Sequence, residues 1–173
     1  MLSCFSSPIK ITQEFGNDFY INSVGKIISI NQYNNLVEIM KKQYRLYYKS
    51  MGIDGHDGLD VVPEDTKDWR IFSVWGGVVI EKKFHNIYGN RISIWNKYNY
   101  TIEYHNHLGI FCPSVNVGDV IKKGTYLGMM GQTGKVFGAH NHFAIAKSDN
   151  KGNRINRQNG FFGYVSPIPF LEN

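Results

Sequence analysis

The spacing of hydrophobic and polar residues changes near Trp69, and the two spacings predict different elements. Before it, Leu36, Met40, Tyr44 and Tyr47 recur at near-helical intervals, with Lys41, Lys42 and Arg45 between them. This predicts one long helix over residues 32–50. Asn34 or Asn35 is placed to cap its start and Gly52 to end it. Ahead of it, residues 9–15 alternate weakly up to Gly16 and read as an edge strand or extended arm. From Trp69 onward the pattern is one of short strands and turns. Strands are expected over 70–74, 78–83, 91–95, 100–105, 126–130 and 140–146, with a hairpin turn at 96–99 and turns at Val117-Gly118-Asp119 and Lys123-Gly124. Residues 149–158 are polar and read as a surface loop, and the aromatic, Pro-containing run 161–171 reads as a clasp that packs back. The fold class is therefore mainly β and antiparallel, with an N-terminal helical insertion.

At 173 residues the chain is most simply one domain, long enough to bury a sizeable core. No stretch approaches the roughly 18–20 apolar residues of a membrane helix. Cys4 and Cys112 lie far apart and match neither a zinc ribbon nor a redox pair, so two unpaired thiols are expected. The net charge of +5 favours adsorption to an anionic polymer, but no basic run or recognition-helix pattern supports nucleic-acid binding. The N-terminus lacks a basic segment followed by an apolar one, so no secretory signal is expected.

Five of the six histidines fall in three short clusters: His56-Asp57-Gly58-Leu59-Asp60, His105-Asn106-His107-Leu108 and His140-Asn141-His142-Phe143. Histidine and aspartate are zinc ligands, and histidine also moves protons near neutral pH. A catalytic zinc commonly takes three protein ligands and keeps a fourth position open. A loop running into the apolar residues Leu59, Val61 and Val62 would deliver His56 and Asp60 from one turn, with Gly58 permitting tight backbone turning. On strands, residues two apart share a face, so His140 and His142 should point one way, and His105 and His107 likewise. His85 has no such partner and reads as a surface histidine.

With these motifs in this order the chain resembles the lysostaphin-type zinc endopeptidases that cut peptidoglycan peptides. Their signature is His-x-x-x-Asp, a His-Leu strand end, then His-x-His, here His56 to Asp60, His107-Leu108 and His140-Asn141-His142. Gly76-Gly77-Val78-Val79, Tyr88-Gly89-Asn90, the run Val117 through Gly124 and Gly131-Gln132-Thr133-Gly134 are similar too. The resemblance implies a Zn²⁺ cofactor on His56, Asp60 and His142, with His107 and His140 as a non-ligand catalytic pair. It implies an antiparallel β-sheet groove, the duplicated hybrid motif, and bacterial peptidoglycan peptides as substrate.

The family-like core covers about 55–146, with an arm and helix over 1–54 and the clasp over 147–173. The chain departs from the family pattern at His105, where Tyr is usual, at Ala139 and Asn141, where Pro and Leu are usual, and in the long stretch 16–55. The competing expectation is a non-catalytic wall-binding or virion structural module that retains the fold. A wall hydrolase without an export signal fits a phage lysis or tail-associated enzyme, made in the cytoplasm and reaching the wall by lysis or in a virion, with a secreted form left open.

Overall fold

The computed structural model describes residues 4–171, so the first three residues of the arm and the last two of the clasp lie outside it. The strands are β1 (Ile9–Gln13), β2 (Tyr20–Asn22), β3 (Ile27–Ile28), β4 (Tyr44–Leu46), β5 (Leu59–Pro63), β6 (Arg70–Phe72), β7 (Gly76–His85), β8 (Gly89–Asn96), β9 (Thr101–Phe111), β10 (Val120–Lys122), β11 (Tyr126–Met130), β12 (Asn141–Lys147) and β13 (Tyr164–Val165). The helices are short: α1 (Ile30–Asn34), α2 (Glu38–Lys41) and α3 (Ile168–Leu171).

Ten strands form one antiparallel sheet along the path β1-β5-β12-β9-β8-β7-β10, with β11 and β6 branching from β9 and β13 pairing with β12. The class expected from the sequence, mainly β and antiparallel, is the one observed. β1 pairs only with β5 and is an edge strand, and β13 and α3 bring the C-terminal segment back onto the sheet, with Leu171 in the core. Among the described residues, no helix is long and apolar enough to cross a membrane. Cys4 and Cys112 are free and buried.

β9 and β12 are buried on both faces, and their alternation sorts two cores. Phe143 and Ile145 pack with Leu59, Val61, Ile92 and Ile94 in the larger one. Ala144 and Ala146 join Ile102, Tyr104 and Tyr164 in the smaller one. Strands read in this way run with period 2 until something breaks the count.

The long helix expected over 32–50 is not there. α1 starts at Ser29, whose hydroxyl accepts from Gln32 N–H while the Gln32 side chain accepts from Ser29 N–H, and it ends at Asn35. Val37 is extended before α2, β4 pairs with β2 in a separate three-stranded sheet, and a 3₁₀ turn over Lys49–Met51 closes on Gly52 in the left-handed region. Neither α1 nor α2 buries a residue, so a long helix would have no apolar surface to lie on. Tyr47 and Tyr48 instead stack with Phe19, worth more than helical periodicity in a segment this aromatic.

Candidate functional site

Cross-strand register builds the site. Leu59 and Val61 point into the larger core, so Asp60 between them faces the other way. His142 is the direct partner of Asp60 across the β12–β5 pair and of Asn106 across β12–β9. Opposite residues in an antiparallel pair hold their Cβ atoms ~5 Å apart, which brings Asp60 and His142 together. His140, two residues earlier, reaches the same carboxylate, its Nε2 3.2 Å from Asp60 Oδ1.

His56 precedes β5 and is fastened by backbone bonds to the insertion: Gly16 N–H donates to its carbonyl and its own N–H donates to Asn17, both at 2.8 Å. A Cβ on Gly55 would stand 2.2 Å from the Gly16 carbonyl oxygen, so only glycine fits this crossing. Gly58 is required for space rather than for turning. It has no left-handed φ, but a Cβ there would lie 2.7 Å from His142 Nε2 and 2.7 Å from the Phe143 carbonyl oxygen.

His105 and His107 do not share a face, contrary to the alternation expected from the sequence. His107 has φ +61°, and the count flips there: Ile102 and Tyr104 belong to the smaller core, yet Leu108, of the same parity, belongs to the larger. His105 is thus buried against Phe143, with Asn141 Nδ2 3.2 Å from its Nδ1. Two of the departures from the family pattern, His105 and Asn141, touch each other inside the core. His107 turns the other way, its ring 4.9 Å from that of His140 and 5.9 Å from that of His142. His85 stands outside the cluster, its Nδ1 accepting from the N–H groups of Ile87 and Tyr88.

Three donor atoms converge. His56 Nε2 is 2.9 Å from His142 Nδ1, and each is 3.0 Å from Asp60 Oδ1. Ligands at ~2.0–2.1 Å around a tetrahedral zinc stand about 3.3 Å from one another, close to this triangle. The outer nitrogens show which atoms carry protons. His56 Nδ1 lies 3.0 Å from the Glu14 carbonyl oxygen, an acceptor only, so its proton sits there and Nε2 is bare. His142 Nε2 lies 3.2 Å from Asp57 Oδ1, within ion-pair range though not aligned as a hydrogen bond, which leaves Nδ1 facing inward. Two lone pairs and a carboxylate oxygen face one another in a buried space and demand a cation. Without a metal a proton answers that demand. Burial would hold His142 down, but Asp57 and Asp60 outweigh it and raise its pKa to about 9. Burial would raise Asp60, yet its three histidine contacts hold it well below the usual carboxylate range.

The remaining pair is held differently. His107 Nδ1–H donates to the Thr133 carbonyl at 2.8 Å and His140 Nδ1–H to Gly138 at 2.9 Å, which leaves the Nε2 of each for the site, that of His140 standing 3.2 Å from Asp60 Oδ1. Burial and the neighbouring His142 charge bring His107 down to about 4, so it is neutral at pH 7. Both line a cavity of about 280 Å³ with Thr12, Tyr48, Asp60 and Phe137. All five residues singled out in the sequence therefore meet in one place, while His105 and His85 do not. The sequence reading assigned no part to Asp57, Tyr88 or the Thr133 carbonyl. Asp57 sits inside the first histidine cluster, and that adjacency was its only signal.

The chain matches the family model described as Peptidase family M23 over residues 54–157. No curated protein matches it. Among solved structures it is similar to the catalytic domain of the antimicrobial peptidase lysostaphin from Staphylococcus simulans, with 24% identity and a TM-score of 0.55 over 69% of this chain and 81% of that one. Whole lysostaphin from the same organism gives 25% identity and a TM-score of 0.53 over 68% of this chain and 44% of that one. A protein described as a glycyl-glycine endopeptidase, lytM, from Ruminococcus gnavus gives 28% identity and a TM-score of 0.53 over 66% and 45%. The chain spans less than half the length of these last two.

Proposed function

The chain belongs to peptidase family M23, and on that premise we propose that it is a zinc-dependent endopeptidase that hydrolyses peptide cross-links of bacterial peptidoglycan. The observation that carries this reading is the inward convergence of His56 Nε2, Asp60 Oδ1 and His142 Nδ1 within 3.0 Å of one another, beside two further histidines each held through Nδ1 by a backbone carbonyl. The similarity to lysostaphin and to a glycyl-glycine endopeptidase supports a wall peptide as substrate. The net charge of +5 suits an anionic wall.

In this reading zinc, held by His56, Asp60 and His142, supplies a Lewis acid and makes water a stronger nucleophile near neutral pH. His107 works as the neutral base. The Thr133 carbonyl locks its tautomer, so Nε2 accepts a proton from the attacking water. The proton taken by His107 then passes to the leaving amine as the peptide bond breaks, and His140, pinned through Nδ1 by Gly138, holds its Nε2 beside Asp60 Oδ1 in the same cavity. Tyr48 and Phe137 wall the cavity in which these groups stand.

Digestion of purified cell walls, read by mass spectrometry, tests the proposal. About one zinc per chain and new amines released from peptide bridges are expected. Zinc-loaded protein that leaves every wall type and short bridge peptide intact would overturn it. A non-catalytic module is not favoured, because all five site residues are present and meet. A phage lysis or tail-associated setting is part of the proposal, and searching purified virions and lysates for the protein tests it.

A further inference from the structure

We propose that Asp57 is a positioning residue of the metal centre: clamped by the Tyr88 hydroxyl, its carboxylate sets the ring of His142 so that Nδ1 is presented to the cation. This rests on the zinc site proposed above and adds a residue outside its ligand set.

Asp57 is only 2% exposed, and a buried carboxylate is costly unless partnered. Two partners stand against it. The Tyr88 hydroxyl donates to Oδ2, and His142 Nε2 lies 3.2 Å from Oδ1. Which nitrogen of a histidine faces a metal is decided by what holds the other one. The two ligand histidines differ in this respect. His56 is backed by the neutral Glu14 carbonyl, whereas His142 is backed by a full negative charge.

Tyr88 is itself immobilised. The Arg91 guanidinium lies 4.5 Å from its ring centroid and also bonds the Tyr164 hydroxyl. The Tyr88 carbonyl accepts from His107 N–H at 2.8 Å, at the residue where β9 changes face. One tyrosine thus fastens the backbone of His107 and, through Asp57, the ring of His142.

The test compares zinc affinity, by competition with a chromogenic chelator, in the wild type, Asp57→Asn and Tyr88→Phe. Asp57→Asn keeps the shape and removes the charge, and a loss on the order of 10- to 100-fold is expected. Tyr88→Phe releases the clamp and should give a smaller loss in the same direction. Cobalt substitution separates positioning from mere structure: the visible absorption of the bound cobalt should change in Asp57→Asn, a readout of ligand geometry that a loss of stability alone would not move. Unchanged zinc affinity in Asp57→Asn overturns the proposal. If that variant does not fold, unchanged affinity in Tyr88→Phe overturns it instead. A wild type that takes up no zinc removes the proposed function and this inference together, whereas a wild type that binds while both variants bind equally removes this inference alone.

Discussion

Replacing Gly58 with alanine should damage the metal site without replacing any ligand. The added Cβ would stand 2.7 Å from His142 Nε2 and 2.7 Å from the Phe143 carbonyl oxygen, whereas ordinary contact begins near 3.4 Å. One obstacle is backbone in a strand paired on both sides, so it cannot retreat. The His142 ring must give way, by about 0.7 Å if it alone moves. Overpacking of this kind costs about 1–3 kcal/mol of stability. Metal sites tolerate only about ±0.2 Å in ligand distance, so zinc affinity should fall about tenfold or more, ~1.4 kcal/mol. Urea denaturation with chelator present reads the first effect, and chelator competition reads the second. Gly58→Ala with metal-free stability within ~0.5 kcal/mol of wild type and unchanged zinc affinity would refute the reasoning.

His142→Ala should lose both zinc and activity, whereas His140→Ala should keep zinc and lose about 10²- to 10⁴-fold in turnover. If His140→Ala alone emptied the site, measured by metal analysis, the division between ligands and free histidines would be wrong. His107 lies at about 4 in the folded protein against an ordinary 6.5, so the unfolded chain binds its proton first as pH falls. The stability this buried neutral ring contributes is whole above pH 6.5 and is lost between 6.5 and 4. The metal-free wild type should therefore lose more stability than His107→Gln across that window, and equal slopes in denaturant midpoint against pH would contradict it. Because His142 is raised to about 9, the metal-free protein holds a proton there at pH 7. Zinc uptake in weakly buffered solution should release it, and titration calorimetry in buffers of different ionisation enthalpy counts it.

Much of the sheet was legible because β-branched and aromatic runs with turn residues between them admit few alternatives, as at β11 and the β8–β9 hairpin. The insertion was misread because Leu36, Met40, Tyr44 and Tyr47 mimic a helical stripe. What decides that segment is pairing of β4 with β2 and stacking on Phe19, neither of which is local. The shared face of His140 and His142 followed from strand period alone, and it holds. The same rule failed at His105 and His107, because one residue at φ +61° breaks the count.

The sequence by itself determined the three clusters of candidate donors, their order along the chain and the β class, since residue chemistry and short-range period need no partner to be read, while the resemblance to a family singled out three of those donors as ligands. Only the tertiary structure decided that Asp60 stands opposite His142, that His107 leaves the core face while His105 stays in it, and that Asp57 is caught between Tyr88 and His142. Each of these depends on strands meeting in a particular register across long stretches of chain, and a one-residue slip would send the ligands to opposite faces of the sheet.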